Sequence, residues 1–191
     1  MGRLFANARA ELPLRAQLER RFVNARFSLL LIVAFTVINL LMCVGQSGAY
    51  WLFSANIPYL LTDIGMYFGG IYQNPTENML ESGFGLFGQG FFVLMIAIAV
   101  VLVAAYFVCW LLSGAARGLG WMIAATVLFA LDTVVMVVMP LIGLADMPAQ
   151  FAIDLALHAY MLYALIDGAL ARHRLDTLPA DAPIYEKAPE A

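Results

Sequence analysis

Four polar side chains stand inside otherwise apolar stretches of this sequence, and their chemistry needs an explanation. Asp132 and His158 each lie near the centre of a long hydrophobic run, Asp154 precedes His158 by one helical turn, and Asn39 lies in a third run. In hydrocarbon a carboxylate must be neutralised, paired or hydrated, so an ionisable residue at such a depth predicts a site. A carboxylate beside an imidazole can also exchange a proton.

The two runs that carry the acids and the histidine, residues 120–143 and 149–171, predict an apolar hairpin that turns near Ala145. In antiparallel helices Asp132 and His158 then lie at equal depth. Asn39 lies within about one turn of them, at a rise of about 1.5 Å per residue. Asp154 shares a helix face with His158 and lies nearer the turn. We therefore predict a layer of candidate ligand-binding or proton-relay residues: Asn39, Asp132, Asp154 and His158.

Three interpretations of this polar layer compete. The favoured one is that it fixes the register of the helices, because interhelical hydrogen bonds of this kind are common although each contributes less than about 2 kcal/mol. The second is a site for a proton, an ion or a small polar ligand. Catalysis or metal binding is weakest, because Asp154 and His158 supply only two potential ligands on one helix and no metalloprotease motif is present. We expect no catalytic residue, no metal and no cofactor.

Composition places the chain in a membrane. It is 63% hydrophobic and 12% charged, with a mean hydropathy of +0.86, against about 45–50% and about 25% in soluble domains. We predict an all-α polytopic protein whose four spans form a bundle, over about residues 27–45, 90–112, 119–143 and 148–171. Each run is long enough to cross a hydrocarbon core of about 30 Å as a helix.

The segments outside the spans have their own patterns. Residues 1–26 predict a basic amphipathic segment on the membrane surface, and residues 175–191 a disordered tail. The outer loop 46–89 predicts an amphipathic helix that opens at Pro58 and either lies on the outer face or dips into it as a re-entrant segment. A second helix is expected after an N-cap at Asn74. The expected apolar face of the first loop helix comprises Ile57, Leu61, Ile64, Phe68 and Ile71.

Basic residues predict the orientation. With four spans, all ten lysines and arginines fall on one side, and an excess of such residues is typical of the cytoplasmic side. Both termini are therefore expected in the cytoplasm, and the arginine-rich composition favours a bacterial inner membrane. Asp167, about one turn from the cytoplasmic end of the last span, is expected to pair with Arg172 or Arg174.

These patterns favour a non-catalytic accessory or interaction protein of the inner membrane. The last span carries small residues at helical spacing that permit close approach of a neighbouring helix, in a partner membrane protein or a second copy of the chain. The alternative is a transport component that binds a small ligand or relays protons through Asp132 and His158. An intramembrane enzyme stays open only because these groups could act as acid and base. The lipid bilayer is an expected partner, and nucleic acid is not. The small residues of the last span are Ala149, Ala152, Ala156 and Ala159.

Overall fold

All regular structure in the described residues is helical. The computed structural model describes residues 13–115, 118–142 and 151–179; the expected turn near Ala145, residue Ala149 and most of the tail lie outside them. Four of the described helices are long and apolar enough to cross a membrane, namely α1, α4, α5 and α6. The helices in chain order are α1 (Leu14–Val44), α2 (Asn56–Gly69), α3 (Glu77–Glu81), α4 (Gln89–Ser113), α5 (Leu119–Leu141) and α6 (Phe151–Thr177).

Helix α1 begins well before the first expected span. It runs unbroken through residues 14–26 into the apolar stretch, 31 residues in all, which is about 46 Å at about 1.5 Å per residue. Arg26 lies within this helix. Its guanidinium donates to Ser113 Oγ at 3.1 Å and to the Trp110 carbonyl at 3.2 Å, so it ties α1 to the end of α4.

Helices α1 and α6 pack closely, with the start of α1 beside the end of α6. A Cβ built on Gly168 would lie 2.1 Å from Ala25 Cβ, so only glycine permits this approach. Near this contact Arg21 forms an ion pair with Asp167. The expectation that Asp167 pairs with Arg172 or Arg174 is therefore wrong, because the neighbouring helix brings an arginine closer than its own last turns do. We call this end of the molecule proximal and the opposite end distal.

The core lies where α1, α4, α5 and α6 meet. Its fully buried side chains are mostly aliphatic, aromatic or methionine, and they come from all four long helices. A tightly packed centre of this kind fixes the rotation of each helix about its own axis. Its members with the lowest exposure include Leu29, Ile32, Met122, Phe129 and Leu165.

Helix α2 lies antiparallel to the first half of α4. Cβ atoms built on Gly65 and Gly69 would lie 2.8 Å from the Cβ atoms of Met95 and Phe92, so the two backbones approach closely at these glycines. The buried side of α2 is thus formed largely by small or polar residues, including Thr62. The expected apolar face is only half-buried. The glycines determine which side of α2 packs on α4, and the spacing of hydrophobic residues does not reveal them.

The short helix α3 begins later than the sequence suggests. The predicted N-cap Asn74 is wrong: Thr76 is the cap, and its hydroxyl oxygen accepts a hydrogen bond from the Met79 amide at 3.4 Å. A threonine in extended conformation one residue after Pro75 places its side chain over the first turn, which is the geometry that capping requires.

Candidate functional site

Asp132 of α5 caps the N-terminus of α2 from another helix. Its Oδ2 accepts a hydrogen bond from the Asn56 amide at 2.8 Å, and its Oδ1 accepts one from the Ile57 amide at 2.7 Å. Ala55, at the cap position, has no side chain that could do this. The carboxylate is fully buried, and it lies where the unpaired amides of a helix N-terminus favour negative charge.

Thr36 and Asn39 of α1 hold the chain that leads into α2. The Thr36 hydroxyl oxygen accepts from the Ala55 amide at 2.8 Å. The Asn39 side chain bonds both backbone groups of Trp51, accepting from its amide at 2.8 Å and donating to its carbonyl at 2.7 Å. Asn39 also donates to Ser54 Oγ at 2.7 Å. Non-helical backbone at this level of the molecule therefore has its polar groups bonded by side chains.

His158 of α6 lies between two carboxylates. Its Nε2 is 3.5 Å from Asp132 Oδ2, and its Nδ1 is 3.7 Å from Asp154 Oδ1 and 3.1 Å from the Asp154 carbonyl oxygen. The ring stacks on Phe129 with centroids 5.2 Å apart. Among the described residues, His158 Nε2 and Asp154 Oδ1 are buried without a hydrogen-bond partner. The site differs from an ordinary buried polar contact because these two atoms have no hydrogen-bond partner.

The geometry constrains the protons at this site. Because Nδ1 of His158 faces a carbonyl oxygen, that nitrogen must carry a hydrogen in order to bond. A neutral ring would then turn its Nε2 lone pair towards Asp132 Oδ2, which is unfavourable. A further proton on His158 Nε2 removes that repulsion and leaves an imidazolium between two carboxylates. Gain and loss of a proton by this ring is the chemistry that the arrangement permits.

The structure brings together three of the four predicted residues. His158 lies beside Asp132, at the equal depth expected of them, and beside Asp154, one turn away on the same helix. The hydrogen bonds of the Asn39 side chain in the described structure go to Trp51 and Ser54 and not to Asp132. Sequence reasoning missed the backbone amides that Asp132 binds. The helix expected to open at Pro58 begins at Asn56, and a helix that starts after Ala55 has no capping side chain of its own and must take its cap from elsewhere.

The small-residue face of α6 is turned away from the other described helices. Ala152, Ala156 and Ala159 are exposed, and so is Tyr163 beside them. This face therefore packs on no described part of the same chain.

Within the described residues, no group of three or more histidine, cysteine, aspartate or glutamate side chains is placed to hold a metal ion. No known protein family, curated protein or solved structure matches the chain. The geometry of the polar layer is therefore the basis for a functional proposal.

Proposed function

We propose that this chain is a non-catalytic inner-membrane protein of the accessory or interaction type, with four spans packed as a bundle. In this proposal the polar layer holds residues 45–69 as a re-entrant segment that enters the membrane from the outer side and returns to it. One observation carries the proposal: both carboxylate oxygens of Asp132 are occupied by backbone amides of α2. A buried acid used in this way positions backbone.

The length and placement of α2 support the re-entrant arrangement. Its 14 residues extend about 21 Å, too short for a hydrocarbon core of about 30 Å. Its first turn lies beside Asp132, in the middle of α5, and Gly69 in its last turn lies beside Phe92 in the first turn of α4. Irregular backbone at membrane depth is tolerated where protein groups bond it, and Thr36 and Asn39 bond the descending residues in this way.

An interaction role is supported by the exposed face of α6. Its alanines permit close approach of another helix without loss of side-chain entropy, which is how helices associate in lipid. In this proposal the partner is another membrane protein or a second copy of the chain. Exchange of Ala156 for leucine should weaken such an association, whereas exchange of Ile153, whose side chain is already large and exposed, for leucine should not.

A flux measurement separates this proposal from its alternative. The protein is reconstituted in vesicles with a pH gradient, and the decay of the gradient is compared with that of protein-free vesicles. We expect equal decay rates for the wild type, for Asp132→Asn and for Thr133→Ala. A protein-dependent proton flux that Asp132→Asn removes and Thr133→Ala retains would contradict the structural role.

The second candidate is a transport component that binds a small ligand or relays protons. It is favoured by the buried Nε2 of His158 and Oδ1 of Asp154, which lack hydrogen-bond partners among the described residues. The Asp154 side chain is 14% exposed, whereas that of His158 is fully buried, so a proton would enter past Asp154. For this candidate, His158→Gln must abolish a pH-dependent uptake or flux. A wild-type protein without any such flux excludes the proton relay.

The proposed orientation, with both termini cytoplasmic, rests on the distribution of basic residues. Cysteines introduced at Glu77 and Arg117 report it with a membrane-impermeant thiol reagent, applied to intact cells from outside. We expect labelling at position 77 and none at position 117. Labelling at 117 and not at 77 would overturn this four-span arrangement with cytoplasmic termini, because an inverted bundle and a fifth span would both give that pattern.

A further inference from the structure

Three large apolar side chains project from the distal end of the molecule, outside the long helices. Leu80, Leu86 and Phe87 are 58%, 66% and 57% exposed. They belong to α3 and the turns that follow it, residues 77–88, which we call the distal cap. Exposed apolar side chains that lie together mark a surface that contacts lipid or protein, because each square ångström left in water costs about 25 cal/mol.

The distal cap is fixed to the end of α2. The Gly85 amide donates to the Tyr67 carbonyl and the Phe87 amide to the Phe68 carbonyl, both at 3.0 Å. Gly85, at φ +71°, lies against Gly70 so closely that a Cβ on Gly70 would be 3.1 Å from Gly85 Cα. The three apolar side chains are therefore presented by a backbone that is bonded to the rest of the fold.

The apolar surface of the cap continues that of α4. The Phe87 ring contacts the Phe91 ring at a centroid distance of 5.0 Å, and Val93 and Leu94 in the next part of α4 are 61% and 54% exposed. Helix α4 is the most hydrophobic of the four candidate spans, and only 11% of its apolar stretch is buried within the described part of the chain. Most of its surface is thus available to lipid.

The cap also carries exposed polar side chains. Glu77, Asn78 and Glu81 are exposed on α3, and Leu80 is a neighbour of Glu77 on the helix surface, three residues further along the chain. Carboxylates remain in water, while the apolar side of an interfacial segment is buried by about 5–10 Å at the boundary of headgroups and acyl chains.

From these contacts we infer that the distal cap is inserted into the adjoining leaflet, with Leu80, Leu86 and Phe87 among the lipids. Its partner is the phospholipid of the protein's own membrane. The cap thereby extends the lipid contact of α4 sideways and anchors the C-terminal end of α2 at the interface.

Site-directed spin labelling tests this inference in the full-length protein. Single cysteines replace Leu86, Phe87, Gln73, Glu81 or Val93, and each protein is labelled with a nitroxide and reconstituted in phosphatidylethanolamine–phosphatidylglycerol vesicles. Both native thiols are buried, and labelling of the unsubstituted chain measures their contribution. Collision rates are measured with oxygen, which concentrates in lipid, and with a water-soluble nickel chelate.

We expect the ratio of oxygen to nickel collisions to exceed one at positions 86, 87 and 93 and to fall below one at the exposed polar positions 73 and 81. Ratios below one at 86 and 87 would overturn the inference, since these residues would then face water. Low collision rates with both reagents would also overturn it, because a protein partner would then cover the cap. A ratio below one at position 93 would instead contradict the membrane placement of α4.

Discussion

Replacing Asp132 by asparagine keeps the shape of the side chain and removes one of its two hydrogen-bond acceptors. The carboxylate receives the Asn56 amide on Oδ2 and the Ile57 amide on Oδ1. An asparagine has a single acceptor oxygen, so in either orientation its NH2 group faces one of the two amide donors. With the NH2 group in the Oδ2 position, it can donate to His158 Nε2, 3.5 Å away in the wild type, but the Asn56 amide loses its acceptor.

The size of the effect follows from these contacts. A buried amide without an acceptor costs about 1–3 kcal/mol. Loss of a negative charge at a helix N-terminus costs up to about 2 kcal/mol in a buried site. A new bond to His158 offsets about 1 kcal/mol. The middle of the range that these terms span is about 2 kcal/mol, and we expect Asp132→Asn to lower the free energy of unfolding by about that amount, a large share of the total for a domain of this size.

Equilibrium unfolding in mixed micelles of mild and denaturing detergent, followed by circular dichroism, measures this change. Hydrogen exchange of a peptide that contains residues 52–60 supplies a local readout, and Asn56 and Ile57 should lose protection. The matched control is Thr133→Ala, since that hydroxyl only donates to the Phe129 carbonyl of its own helix and should contribute less than about 1 kcal/mol. An Asp132→Asn protein within about 0.5 kcal/mol of the wild type, with unchanged exchange at these amides, would refute the capping role.

Two further perturbations test the packing and the distal loop. Gly168→Ala would place a methyl group 2.1 Å from Ala25 Cβ, so we expect a loss of about 1–3 kcal/mol in the same unfolding assay; Gly120→Ala, with no atom within 4 Å of the new Cβ, should be near neutral, and equal losses would contradict the close α1–α6 contact. Burial and the hydrogen bond to Asp63 raise the pKa of the Tyr72 phenol above its ordinary value. The folded state then holds this proton more tightly than the unfolded state, so stability falls as the pH rises above about 10. Tyr72→Phe should reduce that fall between about pH 9 and about pH 11, and an unchanged pH dependence would refute the assignment.

Hydropathy is sufficient to predict four long apolar helices, because an apolar run of about 20 residues can bury its backbone polar groups only as a helix. The start of α1 at Leu14 could not be read in the same way. The basic residues at the start of α1 end the hydrophobic run without breaking the helix. A hydropathy profile shows where the hydrophobic run ends and does not show where the helix begins. The packing of α2 was also hidden, since Gly65 and Gly69 contribute little to hydropathy and act through the backbone approach that they permit.

The polar layer was predictable as far as side chains define it. The positions of Asp132 and His158 in the chain predict that they lie at equal depth in two antiparallel helices, and the structure has them 3.5 Å apart. The partners of Asp132 and Asn39 in residues 51–57 could not be predicted from the sequence. They are mostly backbone amides and carbonyls, which occur at almost every position and carry no sequence signature. The partner of Asp167 was missed for a related reason: Arg21 is 146 positions away along the chain, and only the contact of α1 with α6 brings it near.

Helix α2 occupies only the distal half of the molecule, and this has a mechanical consequence for the bilayer. In the proposed re-entrant arrangement, a fifth cylinder about 10 Å in diameter displaces lipid from one leaflet and not from the other. The lateral pressure on the two leaflets is then unequal. This asymmetry is accommodated at lowest elastic cost where the leaflet containing α2 is convex, so the proposal predicts that the protein concentrates on curved regions of the membrane. In vesicles of mixed size the protein density should accordingly depend on radius, and the sign of that dependence should reverse with the direction of insertion.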